Sequence, residues 1–183
     1  DPELLEETIR SAFELARTGR PGPVVVDIPK DVQNWQGAFK GQGVLPLHGY
    51  RRRLAAITGN RLCDNACERF FTMLSESERP LIYAGGGVIN ANASKAMRRL
   101  ANEYGIPVTT TLMALGASDT NHPLALHMLG MHGVASANYA VEDCDFLIAI
   151  GARFDDRVAG NPAKFGPRAK NIAQFDVDPA EIG

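Results

Sequence analysis

Short apolar runs alternate with stretches of helical periodicity along this chain, and that alternation constrains its fold more than any other feature. The apolar runs occupy residues 81–84, 107–111, 146–150 and 171–177, and helical spacing appears at residues 62–74, 93–104 and 135–141. Strands without an apolar–polar alternation are buried on both faces, which is typical of parallel sheets covered by helices. We therefore predict an α/β fold built on a doubly wound parallel sheet.

The N-terminal part of the sequence predicts too little structure for a domain of its own. Apolar residues from Leu4 to Ala16 recur at helical spacing before Gly19, and residues 23–29 (PVVVDIP) form a short apolar run that predicts a buried strand. We interpret residues 1–33 as the helix–strand remnant of a preceding α/β domain. Residues 34–60 lose this periodicity and predict a linker, and residues 61–183 predict a second domain that is truncated at its C-terminal end.

Composition excludes several classes of function. A net charge of −2 gives no basic surface for nucleic acid, and the apolar runs are far shorter than the roughly 20 residues that cross a bilayer. We therefore expect a cytoplasmic protein without a membrane or nucleic-acid partner. Cys63, Cys67 and Cys144 lack the further cysteines or histidines of a zinc site, so we predict buried free thiols and no metal site.

Glycine, small or charged residues follow four of the predicted strands at the point where each ends. They are Gly85, Gly86 and Gly87; Thr111, Leu112 and Met113; Gly151, Ala152, Arg153, Asp155, Asp156 and Arg157; and Asp176 with Val177. Open α/β sheets bind ligands outside the carboxyl ends of their strands. These residues predict an extended cleft for a long, phosphate-bearing dinucleotide, although they do not separate NAD, FAD and CoA.

Simpler explanations exist for each of these motifs. The RFDDR run at residues 153–157 can be a self-paired surface ion cluster, the three glycines can form a tight turn, and Asp178 before Pro179 can cap a helix. His132 can act as a general base near neutral pH, but no nucleophile or carboxylate adjoins it in sequence, so packing against a ligand is favoured.

Seven motifs occur in order along the chain. They are RPGPV at 20–24, DIPKDVQ at 27–33, GGG at 85–87, TLM at 111–113, LGMHG at 129–133, GARFDDR at 151–157 and DVDPAEI at 176–182. In these motifs the chain resembles the large catalytic subunit of acetohydroxyacid synthase (acetolactate synthase), a thiamine-diphosphate enzyme family of branched-chain amino-acid biosynthesis. The resemblance covers nearly the whole chain apart from residues 34–60, and the pair LGMHG and RFDDR is its most specific part.

This resemblance implies a domain assignment and a set of site residues. Residues 1–33 would end the pyrimidine-binding domain, and residues 61–183 would form most of a Rossmann-like central domain that binds FAD as a structural cofactor. Lys30, Asp156 and Arg157 resemble positions of the substrate channel. The FAD contacts implied by the resemblance are Arg20, Gly85, Gly86, Gly87, Thr111, Leu112, Met113, Leu129, Gly130, Met131, His132, Gly151, Ala152, Arg153, Arg157, Asp176 and Val177.

The resemblance also implies an activity, a thiamine-diphosphate-dependent transferase reaction that decarboxylates pyruvate and joins it to pyruvate or 2-oxobutyrate. The family binds thiamine diphosphate and Mg²⁺ through a GDG motif and an earlier glutamate, and this sequence contains neither. We therefore expect no catalytic residue in these 183 residues and no activity from them alone.

The partners implied are 2-oxo acid substrates, further copies in a dimer or tetramer, and a small regulatory subunit. The alternatives are an FAD-free catabolic acetolactate synthase, a glyoxylate carboligase-like enzyme, and a stand-alone dinucleotide-binding module.

Overall fold

A computed structural model describes residues 1–38, 63–178 and 182 of the chain. The chain divides into two compact units, Asp1–Arg61 and Leu62–Gly183. Most of the predicted linker, residues 39–60, lies outside the described residues, as do residues 179–181. The domain boundaries expected from the resemblance stay predictions.

The N-terminal unit contains the predicted helix but not the predicted strand. Helix α1 spans Leu5–Arg17 after a short 3₁₀ turn, Pro2–Leu4, and a second short helix, α2, spans Lys30–Gln33. The strand predicted at residues 23–29 is wrong, since these residues carry no regular secondary structure and Val25 is 92% exposed. A strand needs a neighbour for its backbone groups, and the described residues of this unit supply none to the apolar run.

The second unit is built on a five-stranded, all-parallel sheet, which confirms the predicted α/β fold. Its strands are β1 (Pro80–Ala84), β2 (Val108–Thr110), β3 (Ala125–Met128), β4 (Phe146–Ile150) and β5 (Asn171–Phe175). Their order is β3-β2-β1-β4-β5, and every neighbouring pair is parallel. This is the order of a Rossmann-like sheet, in which the chain runs outward in both directions from the central pair β1 and β4.

Helices connect these strands. They are α3 (Asp64–Glu76), α4 (Gly86–Asn90), α5 (Ser94–Tyr104), α6 (Ala135–Asp143) and α7 (Asp156–Ala159). Helix α5 ends at Gly105, which adopts φ +67°, as the predicted stop signal requires. Every helix in the described part of the chain is too short or too polar to cross a bilayer.

Both faces of the central sheet are buried, because alternate residues of β1 and β4 enter two separate cores. Ile82 and Ile148 lie in one core with Phe70 of α3 and Met97 of α5, whereas the next residues along each strand lie in the other with Val141 of α6. This period of two explains why β1 and β4 are apolar at almost every position.

Strand β3 was not predicted. Its four residues, Ala125–Met128, are only partly buried or exposed, so it lacks the apolar run that marks the central strands. It also lies at the sheet edge beside a register shift between Val108 and Thr109, and His127 adopts φ +63°. An irregular edge strand has little periodicity in its sequence.

Asp145 fastens the amino ends of the central strands. Its carboxylate accepts hydrogen bonds from the Ser77 hydroxyl, from Glu78 N at 2.9 Å and from Arg79 N at 3.0 Å. Its backbone carbonyl accepts a hydrogen bond from Lys170 N at 2.8 Å. Partial burial acts to raise the pKa of this carboxyl group, but the hydrogen bonds outweigh burial and hold the pKa below its ordinary value of 3.8.

Replacing Asp145 should therefore destabilise the fold. We expect Asp145→Ala to lower the free energy of unfolding by about 2 kcal/mol at pH 7, because it leaves several hydrogen-bond donors unpaired. Since the folded pKa lies below the unfolded one, the carboxylate stabilises the fold above pH ~4 and loses this effect as the pH falls further. Urea unfolding between pH 3 and 7 measures both effects. Asp143→Ala, which removes an exposed carboxylate paired with Arg168, is the control and should change little.

Candidate functional site

The carboxyl ends of all five strands meet at one edge of the sheet, and hydrogen bonds continue the ladder beyond them. Gly85 N donates to Ile150 O at 2.9 Å, and Thr111 N donates to Ala84 O at 2.9 Å. Gly151 N donates to Phe175 O at 2.7 Å. The structure thus brings together the predicted residues that follow β1, β2, β4 and β5, at the edge where parallel sheets bind ligands.

Glycines at the ends of β1 and β4 allow the two backbones to touch. A Cβ atom on Gly85 would lie 2.1 Å from Gly151 O, and one on Gly87 would lie 2.6 Å from Gly151 Cα. Gly151 itself adopts φ +56°, a conformation that side-chain-bearing residues rarely adopt. This contact lies between β1 and β4, the strands from which the order reverses, so it forms the floor of the crevice.

The three glycines differ in what their N–H groups can offer a ligand. Gly85 N and Gly87 N donate to Ile150 O and Gly151 O, so the protein already uses them. Gly86 N has no hydrogen-bond partner among the described residues, and a Cβ on Gly86 would lie 2.9 Å from Met113 Cβ. Close packing therefore explains all three glycines, and a ligand can use the N–H group of Gly86.

Two buried hydroxyls at the end of β2 lack hydrogen-bond partners. Thr110 Oγ1 and Thr111 Oγ1 have no accessible surface and no partner among the described residues. By contrast, the hydroxyl of Thr109 donates to His127 O at 2.9 Å. A buried polar atom without a partner is destabilising, so each of these hydroxyls calls for a partner from outside the protein, such as an ordered water or a ligand. The sequence predicts Thr111 as a site residue but offers no signal for Thr110 beyond its place in a β-branched strand.

Long apolar side chains lie exposed beside these hydroxyls. Leu112 is 66% exposed and Met113 is 74% exposed, and both belong to a 3₁₀ turn, Leu112–Ala114, directly after β2. Met131, in the loop after β3, is 68% exposed. Exposed apolar side chains that cluster beside a crevice are typical of a surface that packs against a ligand or another protein segment.

The loop after β3, residues 129–133, is held from two directions. Gly130 N donates to Asn138 Oδ1 at 2.8 Å, and Asn138 Nδ2 donates back to Gly130 O at 3.2 Å. Met131 N donates to Arg157 O at 3.0 Å, which ties this loop to the loop after β4. His132 is exposed at this edge of the sheet. Asn138 could not be predicted as part of the site, because it lies five residues beyond the motif at residues 129–133.

The loop after β4 contains the RFDDR run, which forms two ion pairs and also caps the helix that follows. Arg153 Nη2 lies 3.5 Å from Asp155 Oδ2, and Arg157 Nε lies 3.6 Å from Asp156 Oδ2. Asp155 also caps α7, because its Oδ1 accepts hydrogen bonds from Arg157 N and Val158 N, both at 3.2 Å. The self-pairing considered from sequence thus exists, yet Arg153 and Arg157 remain exposed toward solvent.

A buried tyrosine supports this loop from below. Tyr83 of β1 is completely buried, packs its ring edge against Phe154 and donates its hydroxyl to Arg153 O at 2.7 Å. Burial raises its pKa well above the usual range, and the charge of Asp155 adds to this, so the hydroxyl stays a hydrogen-bond donor. Nothing in its apolar sequence context singled Tyr83 out.

The last predicted residues at this edge of the sheet follow β5. Asp176 Oδ1 accepts a hydrogen bond from Asp178 N at 2.9 Å in the turn after β5, with Val177 between them. Arg20 and Lys30 belong to the N-terminal unit, and their contributions to a site stay predictions.

Among the described residues no cluster of histidine, cysteine and carboxylate side chains is suited to a metal ion. The three cysteines are free thiols, but the prediction that they are buried is wrong for Cys63, which is exposed at the start of α3. Cys144 is buried, and burial raises the pKa of its thiol to about 11.

The sequence matches a known domain family at the unit that contains this edge. Residues 67–183 match the family described as thiamine pyrophosphate enzyme, central domain, which is more than half of the chain. The chain belongs to the thiamine pyrophosphate enzyme family. The membership agrees with the Rossmann-like strand order and with the resemblance drawn from the motifs.

The curated relatives of this thiamine pyrophosphate enzyme domain that are described below are all named as acetolactate synthases. The chain is 50% identical to the probable acetolactate synthase large subunit of Methanocaldococcus jannaschii and 46% identical to the acetolactate synthase large subunit of Parasynechococcus marenigrum. It is 46% identical to acetolactate synthase 1, chloroplastic, of Zea mays. These similarities confirm the predicted resemblance. Each covers 100% of the chain but only 30%, 29% and 28% of the respective relative.

The glycine contact at the crevice floor gives a stability prediction for this thiamine pyrophosphate enzyme domain. We expect Gly151→Ala to lower the free energy of unfolding by about 3 kcal/mol, because it combines a positive φ with a clash against Gly87. Gly105→Ala is the matched control, since Gly105 has a left-handed conformation (φ +67°, ψ 28°) but open space around its Cβ position, and should cost about 1 kcal/mol. Equal losses in urea unfolding would contradict the close-contact explanation.

Proposed function

We propose that this chain forms the FAD-binding central domain of an acetolactate synthase large subunit. The observation that carries the FAD part is the pair of buried, unpartnered hydroxyls of Thr110 and Thr111 beside exposed apolar side chains at the carboxyl edge of the sheet. The 45–50% identity of the relatives, all named acetolactate synthases, supports the enzyme assignment.

The residues at this edge suit an FAD molecule in chemistry as well as in extent. Leu112, Met113 and Met131 offer an apolar surface for a flavin ring, and the hydroxyls of Thr110 and Thr111 can bond its polar edge. The exposed guanidinium groups of Arg153 and Arg157 can pair with phosphate oxygens, and Asp176 follows β5 where an adenosine ribose would lie. Joining two 2-oxo acids with loss of CO₂ is redox-neutral, so bound FAD would supply structure rather than electron transfer.

The whole enzyme would decarboxylate pyruvate and join it to pyruvate or 2-oxobutyrate. Thiamine diphosphate and Mg²⁺ would bind outside these residues, which contain no cluster suited to a metal among those the structure describes. Within this chain, Lys30, Asp156 and Arg157 would line the route of the substrate. The exposed guanidinium group of Arg157 suits an anionic 2-oxo acid, because it can pair with the carboxylate of that substrate. Asp156, whose Oδ2 lies 3.6 Å from Arg157 Nε, would orient this guanidinium group.

The complete protein would assemble from several copies of this subunit, with a small regulatory subunit as a further partner. A stand-alone dinucleotide-binding module is the less favoured function, because relatives align along the entire chain, including its N-terminal unit. An FAD-free catabolic synthase is less favoured because the edge of the sheet offers the apolar and hydroxyl groups that a flavin would use.

Valine substitutions at the end of β2 test the flavin site. We expect Thr110→Val and Thr111→Val each to weaken FAD binding about tenfold and to stabilise the FAD-free protein by about 1 kcal/mol, because each removes a buried hydroxyl that lacks a partner. Thr109→Val is the matched control on the same strand, since its hydroxyl already bonds His127 O; it should destabilise the protein without selective loss of FAD.

Flavin fluorescence titration and thermal unfolding, with and without FAD, measure these effects in the full-length protein. A yellow protein with a flavin absorption band is expected. A colourless protein that binds NAD instead would overturn the proposal in favour of a dinucleotide-binding module.

The activity is tested by comparing the full-length protein with the 183-residue chain. We expect the full-length protein to form acetolactate from pyruvate when supplied with thiamine diphosphate and Mg²⁺, and the 183 residues alone to form none. Acetolactate production by the isolated chain would show that catalytic groups lie within it. Glyoxylate consumption without acetolactate would favour a glyoxylate carboligase-like enzyme.

A further inference from the structure

We propose that Tyr83 and Asn138 are positioning residues that hold the two loops after β3 and β4 as one platform for the flavin. The proposal rests on the FAD site proposed above, and it concerns two side chains that lie outside every motif on which that site was based.

The two loops are joined to each other through their backbones. Met131 N donates to Arg157 O at 3.0 Å, and a Cβ atom on Gly130 would lie 2.8 Å from the same carbonyl oxygen. Gly130 also adopts φ +90°, which favours glycine. A displacement of either loop therefore moves the other. The exposed side chains of Met131, after β3, and Arg157, after β4, would move together.

Each loop is supported by one side chain from the folded core. Tyr83 is completely buried in β1 and donates a hydrogen bond to the carbonyl of Arg153, so it fixes the position of the loop after β4 relative to the sheet. Asn138, half-buried in α6, bonds both the N–H and the carbonyl of Gly130 and so fixes the orientation of that peptide in the first loop.

The chemistry of these contacts favours positioning over general stability. An asparagine amide that bonds both the N–H and the carbonyl group of one glycine fixes the orientation of that glycine's backbone as well as its position. A tyrosine hydroxyl adds directionality to a ring that is already held by Phe154 and Phe165, so its loss should leave the packing intact. Loss of either side-chain group should therefore increase the mobility of the two loops more than it lowers the free energy of unfolding of the sheet.

The test uses Tyr83→Phe, Asn138→Ala and the double variant in the full-length protein. Tyr139→Phe and Ser136→Ala, two exposed positions on the same helix α6, are the controls. FAD affinity is measured by flavin fluorescence well below the melting temperature. Amide hydrogen exchange of the peptide containing residues 129–133 is measured without FAD.

We expect each single variant to raise the FAD dissociation constant about tenfold and to speed exchange at residues 129–133. Because the loops are joined, the double variant should raise the constant by less than the product of the two single effects. The controls should change neither quantity. If Tyr83→Phe does not fold, Asn138→Ala alone still gives both measurements.

Unchanged FAD affinity in variants that merely melt at lower temperature would overturn the positioning role while the FAD site stands. Unchanged exchange at residues 129–133 would overturn it as well. If the parent protein binds no FAD, the proposed function fails, and the exchange measurement still decides whether the two side chains hold the loops.

Discussion

The contact between glycine backbones at the ends of β1 and β4 is the constraint on which this structure depends. Gly85 and Gly87 lie against Gly151 at distances that leave no room for a Cβ atom. Because the strand order reverses there, the same contact sets the depth of the crevice and the starting direction of the loop that contains Arg153. These three glycines thus decide how closely the ends of β1 and β4 pack.

The central strands could be predicted from sequence because burial on both faces leaves a continuous apolar run. Residues 146–150 were predicted as a strand and form one with the same bounds. The strand predicted at residues 23–29 is wrong and the strand Ala125–Met128 was not predicted, for opposite reasons. The first run has strand-forming residues but no neighbouring strand among the described residues, and the second has a neighbour but only weak burial. Pairing is a property of the tertiary structure, so local sequence describes it poorly.

The predicted site residues of the second unit could be placed at one edge of the sheet because parallel strands all end there. Their supports could not be predicted, since Tyr83 and Asn138 act through hydrogen bonds to backbone atoms of distant residues. Likewise, the missing partners of Thr110 and Thr111 become evident only when every buried donor and acceptor is accounted for. Sequence motifs indicated which loops matter, and the three-dimensional contacts indicate what holds them.

The unpaired hydroxyls of Thr110 and Thr111 have a consequence for how long the protein would persist in a cell. A fold that leaves two buried polar atoms unpaired is less stable when empty than when a ligand bonds them. Newly made chains would then depend on the supply of that ligand, and those that fail to acquire it would be unfolded and degraded more often. Under the function proposed above, scarcity of FAD would lower the amount of protein without affecting any single step of the reaction.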